Sequence, residues 1–489
     1  MGNPSIEKIS QLIEFGHYLE AEHCLSEIEI DDFSKDDKIV FEILNYRVKI
    51  GLHNYLEVLE AIDSTIQNIK HNDMKKELFQ VLYIKSFSLQ FCNKLNESIE
   101  CANEGIEIIE KMSIEKQIPY SIEYAYLLLQ RGYINFYRLK YSEALTITKK
   151  VQTLFEKSDY LIGIGDVLTL IGLVNYSQGN FPKAIEYINE GLTIFKDLKI
   201  IDLMLNSYYY LSRLAYHQGQ IHQALTYLEK MLELVKKYND DYRLGIFLMT
   251  FSILQAEIGK FKLAEKNALN SLKHLEKISR KDINYLVYYR LFVIAINQNK
   301  ISEAELYFEK LQMQRLDFSE NPNLHNVICL AEAQLEMKKE NAKGRDIAKL
   351  LLNDLISKVV TRKEMTMEAR YYLCNILLQE YLDSGEKELL KELNKLTNEI
   401  LEFGKKGELV GFRMKANHIR LLTVWIQQLH NSQPIKNTNV DELLLEVQFI
   451  ADEHNLTTTT KQFTDQQLKL LQQKQTLEEF TKAYYYDVK

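Results

Sequence analysis

The sequence predicts an all-α solenoid, a row of antiparallel helix pairs stacked side by side, on three observations. Alanine recurs every forty residues, at Ala144, Ala184, Ala224, Ala264 and Ala304. Apolar residues recur at spacings of three and four, as in Leu225, Leu228, Met231, Leu232 and Val235, and no run alternates at two. Only 18 Gly and 5 Pro interrupt 489 residues, so long stretches can stay helical. Self-similarity at a fixed interval marks stacked units that each bury a face against a neighbour.

Taken from the N-terminus, residues 1–118 carry the repeated phrase in degraded form. Gly16-His17-Tyr18 leads to Ala21, His53-Asn54-Tyr55 to Val58, and Asn93-Lys94-Leu95 to Ser98, with Gly105 further on. Residues 119–320 are regular. Their phrases run from Tyr141 to Ala144, Phe181 to Ala184, Ile221 to Ala224, Phe261 to Ala264 and Ile301 to Ala304. In each, an apolar residue starts the second helix and a small one lets two backbones approach. Gly179, Gly219 and Gly259, with Asn299 in the same slot, supply left-handed residues that end the first helix. Leu139 occupies that slot in the fourth unit, which is therefore expected to turn differently. Pro119, Pro182 and Pro322 fall at helix starts, where a missing N–H costs little.

Residues 321–458 read as divergent pairs. A long charged linker is expected from Lys338 to Asp346, with Lys343-Gly344-Arg345 as a charged turn, and a polar, proline-containing loop from Asn431 to Asn439. Residues 459–489 are expected to form a capping helix. Phe463, Leu470, Leu477 and Tyr484 recur at seven, but Gln466 and Gln473 interrupt the seam, so a cover for the last pair and a homodimer seam are both open.

The regular block resembles the tetratricopeptide repeat family, in a long variant with about forty residues per unit. The resemblance rests on the early alanine of each second helix, the Gly-x-aromatic turn, and a small residue midway through each first helix. Gly132 and Gly172 fill that last position, Ser212 and Ser252 are tolerable substitutes, and Phe292 departs from it. It implies a right-handed superhelix whose first helices line a concave groove. Stand-alone microbial members look like this chain.

Composition excludes several function classes. The net charge is −8, with 60 Lys and Arg interleaved among 68 Asp and Glu, so no basic stripe is available to displace counterions from a nucleic acid. Apolar runs such as Tyr126 to Leu129 and Leu350 to Leu352 are far too short to span a membrane, and no secretory signal is visible, which leads to a cytoplasmic expectation. Cys24, Cys92, Cys101, Cys329 and Cys374 are scattered, as buried thiols in a reducing compartment would be.

No catalytic, cofactor or metal site is expected. His217 and His222 are five apart and do not share a helical face, and no His-Glu-x-x-His motif occurs. Gly163-Ile164-Gly165 lacks the third glycine of a dinucleotide loop, no serine sits in a Gly-x-Ser-x-Gly elbow, and Asp240 and Asp241 read as solvated turn residues.

The resemblance places the groove-facing residues at fixed offsets from the small position. That register selects Tyr126, Leu129, Tyr133, Phe136 and Tyr137 around Gly132, and Asp166, Thr169, Leu173, Tyr176 and Ser177 around Gly172. It selects Asn206, Tyr209, Arg213, Tyr216 and His217 around Ser212. Tyrosine dominates, and it offers flat apolar area with a hydroxyl at modest entropy cost. Some members of the family clamp a C-terminal carboxylate with Lys and Asn at such positions; here they hold Leu129 and Tyr133, Thr169 and Leu173, or Tyr209 and Arg213. The expected function is a non-catalytic interaction scaffold that takes a peptide or protein segment in an aromatic groove. The alternative is a peptide- or ligand-responsive regulatory sensor that acts by changing superhelical shape.

Overall fold

A computed structural model of the chain describes residues 4–431, apart from 31–32, 239, 279–282, 318–321, 340 and 359–361. The expected helix at 459–489 and the loop at 431–439 lie outside the described residues, except for Asn431 itself. Among the described residues there is no strand. Helix pairs succeed one another: α1 (Pro4–Glu14) with α2 (Tyr18–Ser26), α3 (Lys35–Gly51) with α4 (Tyr55–His71), and α5 (Lys75–Phe91) with α6 (Leu95–Glu110). A single turn, α7 (Ile114–Gln117), and a short 3-10 segment then lead into the regular block.

There the pairs are α8 (Ser121–Tyr137) with α9 (Tyr141–Lys157), α10 (Leu161–Ser177) with α11 (Phe181–Asp197), and α12 (Ile201–His217) with α13 (Ile221–Tyr238). They continue with α14 (Asp241–Glu257) and α15 (Phe261–Glu276), then α16 (Asn284–Asn297) and α17 (Ile301–Asp317). The last described elements are α18 (Pro322–Lys338), α19 (Ala342–Ser357), α20 (Lys363–Ser384), α21 (Lys387–Lys406) and α22 (Val410–Asn431).

The forty-residue period survives into the coordinates because the same contacts recur. Ala144, Ala184, Ala224, Ala264 and Ala304 are all fully buried. At Gly172, a Cβ would come within 2.6 Å of Ile188 and 3.3 Å of the Ala184 carbonyl, so only a residue without a side chain admits α11 this closely. Ser86 and Ser98 play the same parts in α5 and α6, where each hydroxyl donates to the other's carbonyl at 2.8 and 2.7 Å.

Two expectations are corrected here. Leu139 turns like the glycines: its φ is 62°, beside 81° for Gly179, and the Leu139 and Lys140 amides bond the Phe136 and Asn135 carbonyls as Gly179 and Asn180 bond Tyr176 and Asn175. A left-handed L-residue costs about 1–2 kcal/mol, and Leu139 offsets this by burying its side chain to 5% exposure. The charged linker after Lys338 is also shorter than expected. Asn341 accepts the Gly344 amide at 2.8 Å as an N-cap, which draws Lys343, Gly344 and Arg345 into α19.

The superhelix is tightly coiled, and successive turns touch. Tyr176 of α10 and Glu364 of α20 are 188 residues apart and bonded at 3.1 Å, and Gln218 and Glu408, 190 apart, meet at 3.3 Å. A ring contact joins Phe181 to Phe403, with centroids 6.3 Å apart. Near the N-terminus the same spacing brings the His53 ring to Tyr242 at 4.0 Å, and the His17 ring meets Tyr238 at 5.3 Å. No described helix is long and apolar enough to cross a membrane.

Candidate functional site

Contact between turns converts the inner face into an internal cavity of about 730 Å³. First helices supply most of its wall, since their small central residues press outward on the second helices and leave the longer side chains facing the axis. Of the residues selected from sequence, Tyr126, Tyr133, Tyr137, Asp166, Asn206, Tyr209 and Arg213 line it, with Leu129, Thr169 and Leu173. Phe136, Tyr176, Tyr216 and His217 do not. Phe136 packs on Tyr137 and Tyr141, Tyr216 donates to Glu257 at 3.2 Å, and Tyr176 and His217 are taken up by Glu364 of the next turn. Positions six and three before the small residue and one after it therefore face the cavity, whereas the position four after it, held by Phe136, Tyr176 and Tyr216, packs within or between repeats and turns.

Hydroxyl and carboxyl groups are unevenly shared along the wall. Tyr133 donates to the Asp166 carbonyl at 3.3 Å, and Tyr126 to Tyr160 at the same distance. Burial pushes the Asp166 carboxyl up to about 7, and Tyr83, Tyr126, Tyr133 and Tyr160 are near enough to feel its charge. A second acid, Asp202, meets Arg243 at 2.9 Å, and the same guanidinium bonds Asp240 at 2.8 Å. Tyr18 from the previous turn hydrogen-bonds Asp202, and burial followed by that carboxylate pushes its phenol well above the ordinary value. Asp240 thus caps α14 and holds the guanidinium that Asp202 shares, where the sequence suggested a solvated residue, and it is Asp202 with Tyr18 that joins the two turns. At the other end, burial alone would raise the Glu364 pKa, but His217, Arg213 and Arg362 outweigh it and hold the carboxyl below the usual range.

Several lining residues were not selected from sequence. Tyr83 stands three before Ser86, as Tyr209 stands three before Ser212, so the register could have found it. Arg362 precedes its helix and Arg243 opens one, and no register marks them. Outside the cavity, His325, Cys329 and Asp354 bring possible metal-ligating atoms within 4.8 Å of one another, but the Lys358 ammonium already bridges His325 at 3.1 Å and Asp354 at 2.5 Å.

No family model matches the chain, and no curated protein matches it in sequence. Solved structures do match in shape. A Rap protein complexed with competence and sporulation factor superposes with a TM-score of 0.54 at 14% identity, covering 82% of this chain and 98% of that one. The chain has the tetratricopeptide-type solenoid fold. NprR in complex with its cognate peptide NprX is also similar, with a TM-score of 0.49 at 14% identity over 81% of this chain and 97% of that one. Yeast Tom70 aligns over 87% of this chain and 96% of its own, with a TM-score of 0.38 at 14% identity.

Proposed function

We propose that the chain is a non-catalytic scaffold that binds a short peptide segment in the tyrosine-lined cavity. The observation that carries this reading is the cavity itself: about 730 Å³, with Tyr126, Tyr133, Tyr137 and Tyr209 on its wall and Asn206 among them. Flat aromatic faces grip an extended backbone without losing much side-chain freedom, and their hydroxyls meet its amides. Pockets of this size, mostly apolar with a few placed polar groups, are the usual form of a ligand site. The similar fold of a Rap protein in complex with competence and sporulation factor supports a binding role at the level of fold.

One observation favours the sensor as the second reading. Tyr176, His217 and Gln218 fasten one turn to the next through Glu364 and Glu408, and Arg213, which lines the cavity, lies over the Tyr176 ring, so a ligand that moves Arg213 reaches a contact between turns. The test is the double variant Tyr133→Ala, Tyr209→Ala. It is expected to keep its helical circular dichroism and to lose at least about tenfold in affinity, about 1.4 kcal/mol, for peptides retained by the unaltered chain. An unfolded product makes these tyrosines core, and unchanged retention removes the cavity as the site.

A further inference from the structure

Three guanidiniums gather where α12, α16 and the start of α20 meet: Arg213, Arg290 and Arg362. Arg213 and Arg362 line the cavity, and Arg290 stands behind. Arg213 is close enough to both neighbours for its charge to oppose theirs. None of the three has a carboxylate at ion-pair distance among the described residues. Arg213 donates to the Tyr209 hydroxyl at 3.2 Å and lies over the Tyr176 ring at 5.4 Å. The Nε atoms of Arg290 and Arg362 are buried with no acceptor. Glu364 is near enough for Arg213 and Arg362 to help hold its carboxyl below the usual range, but it makes no ion-pair contact with a guanidinium, and its two oxygens are bonded by Tyr176 at 3.1 Å and His217 at 3.0 Å.

Folded interiors do not ordinarily leave like charges together in this way. A buried cation without its counterion is costly, and arginine's planar fork is normally closed by a carboxylate or phosphate. Close acceptors for these guanidiniums are not supplied by the described residues, and two of the three face the cavity, the side from which one can arrive.

We propose that Arg213 and Arg362 form an anion subsite that takes a carboxylate of the bound ligand, with Arg290 adding charge from behind. This rests on the peptide reading of the cavity and specifies the peptide's chemistry: it carries a free carboxylate, at its C-terminus or on an acidic side chain. The subsite is unlike a Lys and Asn clamp within adjacent repeats, because Arg362 reaches this wall only where one turn lies on another.

The experiment uses the full chain and three pools of short synthetic peptides built from Ala, Ser, Leu and Tyr. One has free C-termini, one is amidated, and one is amidated with a single Glu. Retention is measured by equilibrium dialysis for the unaltered chain and for Arg213→Gln, Arg362→Gln and Arg362→Lys, each checked for helicity. The free-acid or Glu-bearing pool is expected to be retained at least about tenfold better than the neutral pool. That excess is lost in both Gln variants and partly kept in Arg362→Lys, and the pool that shows it identifies the carboxylate's source. If the neutral pool is retained as well as the charged ones, and equally by the variants, the peptide reading stands and the subsite is overturned. If no pool is retained, the peptide reading falls, and the subsite is judged with millimolar inorganic phosphate as probe. Phosphate should raise the melting temperature of the unaltered chain, but not of Arg213→Gln, above the effect of chloride at equal ionic strength. The absence of that difference overturns the subsite on its own.

Discussion

The carboxyl of Asp166 is the inner-wall group whose proton matters near neutrality, since burial brings it to about 7 against 3.8 in the unfolded chain. The folded state therefore binds that proton more tightly than the unfolded state. Stability contributed by the neutral acid is fully present below the unfolded pKa and is lost as pH rises through the folded one, with a slope approaching about 1.4 kcal/mol per unit between them. Asp166→Asn keeps the shape and removes the proton, so its melting temperature should fall less than that of the unaltered chain between pH 5 and pH 8. Parallel curves would mean that the carboxyl is solvated. The residue itself was readable from its register beside Gly172. Its protonation was not, because that comes from burial in the wall that the assembled repeats build around it. Leu139 teaches the same lesson about turns: residue type suggested an exception, and the burial of its own side chain made the conformation the rule.

At the scale of elements, the repeat phrase located helices accurately because it encodes contacts between immediate neighbours. The second helices begin at Tyr141, Phe181, Ile221, Phe261 and Ile301, as the phrase predicts. Ala224 lies where α12 and α13 pack and has no exposed surface, so Ala224→Leu should overpack the pair and cost about 1–3 kcal/mol by chemical denaturation. An unchanged midpoint would shift the helix register assigned here. Where the phrase fades, local chemistry takes over. The cap by Asn341 that shortened the expected linker is a single side-chain hydrogen bond, and a forty-residue periodicity contains no information about it.

At the scale of the whole molecule, the sequence was silent on pitch, and pitch decides what the inner face becomes. Small inclinations between neighbouring pairs accumulate until Tyr176 meets Glu364, and no local pattern announces that pairing. This is why Tyr176 and His217, selected as groove residues, are found between turns. Glu364→Gln removes the charge that both partners hold, and should cost about 1.5–3 kcal/mol, the range for hydrogen bonds to charged groups. Because the folded Glu364 pKa is depressed, its contribution is present above the unfolded value of 4.5 and is lost as pH falls below it, so variant and unaltered chain should converge in acid. Small-angle scattering at neutral pH should report a longer, looser particle for the variant, and identical profiles would remove Glu364 as a fastener.

The recurrence of partners near 188 and 190 residues carries a consequence for how such a chain can change length. Solenoids ordinarily gain or lose whole repeats freely, since each unit recognises only its neighbours. Here, duplicating one forty-residue unit between α10 and α20 would leave every local interface intact, yet slide Glu364 a full unit past Tyr176 and His217. Repeat number within one revolution is thus constrained as tooth count is in a gear: insertions should be tolerated at the two extremities and rejected in between, even where the inserted unit is a perfect copy.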